Sequence, residues 1–261
     1  MVSIEKVFKI IDENVKVIKK SEFVRTQDLL ERCISQNIIS KINIPPHDNS
    51  AVDGYLFSTQ AVTETRNVNL PFLGKIRAGD KLNTKKFKNG YYQVSTGSCI
   101  PDGYNAVVMQ ENIIKSKNKL NIRSNLVEEM NIRKKGEDVK KNQIIFQKGH
   151  IIRAQDIGMI ASLGLTRVRV KNKIKIGILS NGNELVEPGM KKNNFQIYDS
   201  NRYMLANLIG YKNVECFDAG ISDDNYLQIK KKITYLKKKC DLIILSGGAS
   251  TGEQDYINLV V

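Results

Sequence analysis

The sequence has 261 residues, of which 41 % are hydrophobic and 26 % charged, a globular composition that excludes wholesale disorder. Its 41 Lys and Arg residues against 27 Asp and Glu give a formal net charge of +14, which suits an anionic ligand or a nucleic acid. No apolar run reaches the roughly 18 residues of a membrane-spanning helix, and the N-terminus lacks a signal-peptide pattern. We therefore expect a cytoplasmic protein with no membrane partner.

The positive charge is spread along the chain, and no Trp is present to stack nucleic-acid bases. Lysine runs of this kind are typical of solvated helix faces, so nucleic-acid binding is the weaker interpretation. The cysteines lie far apart and form no C-x-x-C pair, which argues against zinc and against a disulfide framework. They are Cys33, Cys99, Cys216 and Cys240.

The N-terminal region predicts helices followed by β structure. Apolar spacing predicts an amphipathic helix over residues 3–19, capped by Ser3, and a second helix from Thr26 to Ile34. Two prolines at residues 45–46 then end regular structure. From about residue 47 to 139, short β-rich pieces alternate with turns, which predicts a small all-β unit. Its predicted strands lie at 70–73, 90–94, 106–109 and 119–122.

The second half predicts an α/β arrangement. A strand at 143–146, a helix at 154–163 and a strand at 166–170 come first. Strands and helices alternate after residue 172, and this βαβαβ pattern predicts a parallel sheet with helices on its faces. The predicted strands are 173–180, 214–217 and 241–245, and the predicted helices are 200–210 and 223–238.

Three carboxylates, Glu184, Asp223 and Asp255, follow or flank these parallel strands. Ligands of open parallel sheets bind at the carboxyl ends of the strands, so the three acids can converge at one edge. Carboxylate oxygens suit Mg²⁺, and the pattern therefore favours a magnesium site. For each acid alone, a surface charge or a helix cap is the more common role, and only the three together favour a metal site.

A glycine-rich segment, residues 246–255 (SGGASTGEQD), follows the last predicted strand. Glycines let backbone N–H groups approach an anion, and hydroxyls can donate to phosphate oxygens. A nucleotide P-loop is excluded because Glu253 and Gln254 occupy the positions that require Lys and Ser or Thr. A tight turn without a ligand remains the alternative. The candidate binding residues are Gly247, Gly248, Ser250, Thr251 and Gly252.

Several segments together resemble the molybdopterin molybdenumtransferase family, which includes bacterial MoeA and the gephyrin E domain. Residues 45–55 (PPHDNSAVDGY) are similar to the family's P-x-F-D-N-S-A-M-D-G-Y segment. Residues 95–111 (STGSCIPDGYNAVVMQE) resemble T-G-A-P-x-P-x-G-A-D-A-V-V-x-x-E, and residues 132–138 (IRKKGED) match I-R-x-x-G-E-D. Further matching segments follow in the family's order at 160–164, 180–185, 197–201 and 246–255.

The resemblance implies a multidomain protein of mixed α/β and β class. It implies a discontinuous N-terminal α+β domain at residues 1–46 and 140–171, with an inserted β-rich domain at 47–139. A MogA-like, doubly wound α/β domain follows at 172–261. Family members continue with proline-bearing segments and a further β domain, so we expect a C-terminally truncated member whose last domain is incomplete.

The resemblance also implies a function. Family members cleave adenylylated molybdopterin in a divalent-metal-dependent step, insert molybdate at the dithiolene and release AMP. They work as homodimers with a shared cleft. By position, the catalytic residues are Asp53, Thr96, Asp138, Glu184, Asp223 and Asp255, with Mg²⁺ held by the last three. The alternative is an inactive remnant, or a scaffold that binds molybdopterin without turnover.

Overall fold

A computed structural model gives the structure of the chain and describes residues 3–65, 68–81, 89–116, 119–210, 213–248 and 256–260. Contacts divide the chain into two compact units. Ile38–Ile145 forms one, here called the β unit, and Met1–Asn37 with Phe146–Val261 forms the other, the α/β unit. This division does not separate residues 1–37 and 146–171 from residues 172–261, so the three-domain boundaries stay a prediction.

The β unit is built, in its described part, on a four-stranded sheet. The strands in spatial order are Phe72–Ile76, Tyr91–Val94, Gly54–Phe57 and Ala106–Met109. Successive side chains point to opposite faces, and each face carries its own apolar cluster. Tyr55, Phe57 and Val108 are buried on one face, and Leu56, Val94 and Val107 on the other.

Smaller pieces complete the β unit. A hairpin pairs Ile113–Ser116 with Lys119–Ile122 after a 3-10 turn at Gln110–Asn112. Two-residue strands at Asn49–Ser50 and Ile132–Arg133 pair with each other, and Ile38–Ile39 pairs with Ile144–Phe146.

The first part of the α/β unit differs from the sequence prediction at two places. The N-terminal helix spans Ile4–Asn14 and is capped by Ser3, so it ends five residues early. The predicted second helix is wrong: only the 3-10 turn Thr26–Asp28 forms. Glu31 has φ 62°, which breaks a helix, and its N–H donates to the carbonyl of Ile152 instead. Tertiary pairing therefore outweighs local helical spacing here.

The remaining elements of this part lie close to their predicted positions. Ser21–Arg25 pairs antiparallel with Arg167–Lys171, and the helix Ala154–Ser162 precedes Gly164, whose φ is 74°. Such a positive φ is typical of a glycine that ends a helix.

The second part of the α/β unit contains the predicted parallel sheet. The central strand, Ile174–Asn181, pairs in parallel with Val214–Ser222 on one side and Leu242–Ser246 on the other. The helices are Asn201–Ile209, Tyr226–Lys239 and the short Ile257–Val260, and Leu185–Val186 pairs with Ile197–Tyr198. The βαβαβ prediction is confirmed.

Helices cover both faces of this sheet. Ile229, Ile233 and Leu236 of the long helix pack with Leu179 in one buried cluster. The helix Asn201–Ile209 covers the other face. Its Arg202 binds Asp218, whose side chain points away from the face on which the neighbouring Phe217 packs with the long helix. No helix in the described ranges is both long and apolar enough to cross a membrane.

Candidate functional site

Three segments that are distant in sequence meet in the β unit. Ser50 donates its N–H to the carbonyl of Ser98 at 2.9 Å, and Gly97 donates to the carbonyl of Ser50 at 2.8 Å. On the other side, Ser50 pairs with Ile132. Backbone hydrogen bonds thus place the segments around residues 50, 97 and 132 side by side.

This arrangement brings two of the predicted residues into direct contact. Asp53 Oδ1 accepts hydrogen bonds from the Thr96 N–H at 2.7 Å and from Thr96 Oγ1 at 3.0 Å. Both side chains are exposed, and the second oxygen of Asp53 has no hydrogen bond among the described residues. The site therefore offers a carboxylate that is fixed on one oxygen and open on the other.

Gly54 makes the approach of the strands possible. A Cβ built at this position would lie 2.1 Å from the carbonyl oxygen of Val108 on the neighbouring strand. No side chain larger than hydrogen fits there without moving the backbone. The Asp-Gly sequence at 53–54 is thus explained by strand packing beside the predicted carboxylate.

Asp138 lies in a separate cluster of the β unit. Its Oδ1 accepts from the Arg133 guanidinium at 2.6 Å, while Glu137 contacts the same arginine at 3.4 Å. The hydrogen bond and charge of Asp138, followed by those of Glu137, raise the pKa of Arg133. No hydrogen bond or ion pair joins Asp138 to Asp53 in the part of the chain that is described.

At the carboxyl edge of the parallel sheet, hydrogen bonds hold Asp224 in place and not its predicted neighbour Asp223. Asp224 accepts from Asn181 Nδ2 and from the Asn183 N–H, and its own N–H donates to Asn183 Oδ1 at 3.0 Å. Asp223, the residue predicted from the sequence, makes no side-chain hydrogen bond or ion pair with described residues. Because Asp223 and Asp224 are adjacent in sequence, the sequence alone does not indicate which of the two side chains is held by hydrogen bonds.

Glu184 lies in the loop after the central strand. Its carboxylate folds back over Gly182, where an added Cβ would meet Glu184 Oε2 at 2.5 Å. Gly247, with φ 96°, follows the edge strand and approaches the Asn181 carbonyl oxygen so closely that a Cβ would lie 2.2 Å from it. The first glycine of the predicted loop is therefore required by packing.

Other predicted residues of this loop lie outside the described residues. They are Ser250, Thr251, Gly252 and Asp255. Gly248 is described and has φ 66°. Among the described side chains, no group of three or more His, Cys, Asp or Glu residues could hold a metal ion. The oxygen donors Glu184 and Asp223 nevertheless have the chemistry that Mg²⁺ prefers.

Two polar atoms at the end of the central strand lack partners. Ser180 Oγ and Asn181 Oδ1 are buried, and neither has a hydrogen bond to any residue that the structure describes. An unsatisfied buried polar atom costs about 1–3 kcal/mol, so such atoms usually face a ligand or water. This edge of the sheet therefore has unused hydrogen-bonding capacity.

A buried arginine holds the loop that contains Glu184. Arg202 is 5 % exposed and binds Asp199 at 2.9 Å, as well as Asp218 and Glu187. Burial disfavours the charged guanidinium, but the hydrogen bond to Asp199 and the charges of Asp218 and Glu187 prevail and raise its pKa. The sequence does not reveal this cluster, because nothing in the spacing of these acids marks them as partners of one arginine.

Comparison with known families supports the resemblance. Residues 2–164 match the model of the MoeA N-terminal region (domain I and II). Residues 177–261 match a probable molybdopterin binding domain.

Individual relatives agree with these matches. A molybdopterin molybdenumtransferase of Haemophilus influenzae is 34 % identical over 93 % of this chain and 60 % of the relative. A putative molybdopterin biosynthesis protein of Methanocaldococcus jannaschii is 30 % identical over 96 % and 63 %. The crystal structure of a molybdopterin biosynthesis moeA protein from Pyrococcus horikoshii superposes with a TM-score of 0.86 at 30 % identity, covering 95 % of this chain and 66 % of that one. The chain thus spans about three-fifths of the curated relatives' length.

Proposed function

The chain belongs to the MoeA family, and from that premise we propose that it inserts molybdate into adenylylated molybdopterin and releases AMP. The observation that supports this most is the contact between Asp53 and Thr96. These residues come from two separate family-like segments and lie 43 positions apart in sequence. Structure alone would not require a charged side chain at this exposed position.

In the proposed reaction, water attacks a phosphorus of the phosphoanhydride. A new P–O bond to water forms, the bridging P–O bond breaks, and AMP leaves while the protons of the water pass to solvent. Molybdate exchanges one of its oxygens, which leaves as water with the two thiol protons, for bonds to the two dithiolene sulfurs. The Asp53 oxygen that has no hydrogen bond among the described residues accepts one from a hydrogen-bond donor and so orients that donor. Thr96 holds the other oxygen of the carboxylate in place. Asp138, paired with Arg133, contributes a second charged group in the β unit.

The proposal includes Mg²⁺ held by Glu184, Asp223 and Asp255. A bound Mg²⁺ would neutralise charge on the phosphate oxygens. Backbone N–H groups of the loop from Gly247 onward, with Ser250, Thr251 and Gly252, would bind the anionic ligand. The orphaned Ser180 Oγ and Asn181 Oδ1 at the same sheet edge favour a polar ligand there.

The proposed active form is a homodimer in the cytoplasm. All four cysteines are free thiols, which fits a reducing compartment. Light scattering of the purified chain tests the dimer, since a monomer at working concentration would contradict it.

A second candidate function is binding of molybdopterin, as a scaffold, without turnover. The buried Ser180 Oγ and Asn181 Oδ1, which have no partner among the described residues, suit the binding of a polar ligand and require no chemical step. It retains the ligand-binding edge of the sheet and omits the chemical step.

One experiment separates the two. Purified chain is mixed with adenylylated molybdopterin, with and without molybdate, and AMP is measured by chromatography while ligand retention is measured by filtration. Molybdate-dependent AMP release supports the enzyme, and ligand retention without AMP release supports the scaffold. If the chain neither releases AMP nor retains the ligand, both functions are rejected. Asp53→Asn should slow release by about a hundredfold, whereas Asp102→Asn, at an exposed turn, should not.

A further inference from the structure

A polar cleft opens at one end of the four-stranded sheet in the β unit. Its volume is about 240 Å³. Its polar lining consists of Asp53, Lys75, Arg77, Gln93, Ser95 and Gln110. Asp53 is the one predicted site residue among these, and Ser95 and Gln110 lie in the family-like segment 95–111. Lys75, Arg77 and Gln93 lie outside every motif.

The strand register explains why these side chains meet. Lys75 pairs with Gln93, and Gln93 pairs with Tyr55 on its other side, so one row of the sheet carries a cation and an amide. Arg77 and Ser95 each lie one residue beyond a paired strand end, Ile76 and Val94. Asp53 precedes Gly54, which pairs with Val94, and so completes the same end of the sheet.

Among the described residues, the two cations have no ion-pair partner. Neither Lys75 Nζ nor the Arg77 guanidinium forms an ion pair or side-chain hydrogen bond with the described residues, although Arg77 uses its backbone N–H to bind Asp80. Asp53 is the only carboxylate among the described lining residues, and one of its oxygens already accepts hydrogen bonds from Thr96. The cleft therefore has an excess of positive charge and free donors.

We propose that Lys75 and Arg77 bind the phosphate groups of the substrate in this cleft. The inference rests on the proposed function, and it names a recognition pair that the motifs do not contain. Arginine binds phosphate through two parallel N–H groups, lysine adds a mobile point charge, and the Gln93 amide and Ser95 hydroxyl add neutral donors. Such a set selects a phosphate-bearing ligand over an uncharged one.

Asp53 gives the cleft its selectivity. A carboxylate beside two cations repels a bare polyanion but accepts hydrogen bonds from a ligand that also carries donors. The cleft thus matches a ligand with phosphates at one end and N–H or O–H groups at the other.

The test measures the binding of inorganic pyrophosphate to the full chain by calorimetry, at low and at moderate salt. The double variant K75Q/R77Q should bind pyrophosphate about tenfold or more weakly, because it loses two charge-assisted contacts whose effect water partly screens. The control K140Q/R123Q removes the same net charge from exposed residues of the β unit that lie outside the cleft. Its affinity should equal that of the wild type.

Two further variants sharpen the test. K75R/R77K keeps both charges and should retain most of the affinity. Asp53→Asn removes the repelling carboxylate and should tighten pyrophosphate binding. Wild type that fails to bind pyrophosphate, or equal weakening by both double variants, would overturn the proposal.

The AMP-release assay is scored separately. If wild type releases AMP, K75Q/R77Q should raise KM about tenfold with little change in kcat, because the pair binds phosphate without touching the reacting water. A fall in kcat with unchanged KM contradicts the binding role. If wild type binds pyrophosphate at this cleft but releases no AMP, the subsite stands and the proposed function fails.

Discussion

The two regions that carry the predicted acids are held in different ways. In the β unit, Asp53 and Asp138 lie on segments joined by backbone hydrogen bonds, and their own side chains are exposed. In the α/β unit, the loop after Glu184 depends on the buried guanidinium of Arg202, which binds Glu187 and Asp199.

This difference separates folding from chemistry. Where the backbone ladder sets the geometry, a charged side chain can be replaced with little loss of stability, and its effect should fall on ligand binding. Where one buried charge holds a loop, its removal leaves carboxylates without a partner and destabilises the fold.

Replacing Arg202 should have the largest effect. Arg202→Met leaves Asp199, which is 1 % exposed, without its counter-charge. We expect the free energy of unfolding to fall by about 3–5 kcal/mol, the usual cost of breaking a buried ion pair. Urea denaturation followed by circular dichroism measures it.

The matched control is Arg133→Met in the β unit. Arg133 also binds two carboxylates, but its side chain is 39 % exposed. Water replaces the lost partners, so the loss should be far smaller than that of Arg202→Met. Equal losses in the two variants would refute the contrast.

The β unit should instead be sensitive to its backbone. In Gly54→Ala the new Cβ would lie 2.1 Å from the Val108 carbonyl oxygen. Separation of the two strands should cost about 3 kcal/mol, and the thermal midpoint should drop accordingly. Gly158→Ala is the control, because its Cβ meets nothing within 4 Å and the position is helical. Gly158→Ala should stabilise the chain by about 0.5–1 kcal/mol. If Gly54→Ala instead kept the thermal midpoint of the wild type, the two strands would be able to move apart freely.

A second buried carboxylate tests whether the α/β unit depends on charge elsewhere. Asp156 is 5 % exposed and accepts hydrogen bonds from Arg153 and from His150. The Arg153 side chain is the largest cause that holds the pKa of Asp156 well below its usual range, against the opposing effect of burial. Asp156→Asn should cost about 2 kcal/mol at pH 7 through the lost cap and hydrogen bonds.

The pH dependence of that loss has a defined sign. Folding lowers the pKa of Asp156 below the value of about 3.9 that an Asp has in the unfolded chain. The stabilisation by its charge is therefore complete at a pH above that unfolded-state pKa and is lost as the pH falls below it. The gap between wild type and Asp156→Asn should therefore narrow from pH 5 towards pH 2. A gap that stays constant over this range, or an equal gap for Asp102→Asn, would contradict the role of the charge.

The sequence predicted the fold well where periodicity and packing agree. The parallel sheet and its helices follow from buried apolar strands such as Ile174–Asn181. The helix predicted from Thr26 failed because Cys33 and Ile34 form bridges to residues far along the chain, Ile151 and Val170. Helical spacing carries no information about such distant partners.

The candidate site was predictable only as far as motifs reach. The family-like segments identified Asp53 and Thr96, which do make contact. Lys75 and Arg77 lie outside those motifs, and they join the cleft through strand register alone. Register depends on which strands pair, and a single sequence does not specify this for short strands of the β unit.

The smallest effect concerns the pair itself. Thr96→Val removes the 3.0 Å hydroxyl bond to Asp53 but keeps the 2.7 Å bond from the Thr96 N–H. A double-mutant cycle of Thr96→Val and Asp53→Asn should give a coupling of about 0.5–1 kcal/mol, because both groups are exposed to water. Urea denaturation of the four proteins measures it, with Thr63→Val as the control for an exposed threonine of the β unit. Additive losses would mean that the Thr96 hydroxyl does not help to hold Asp53 and that the bond from the Thr96 N–H alone positions the carboxylate. The contrast between the two regions would then be sharper still, since only a bond from the backbone would hold the Asp53 side chain.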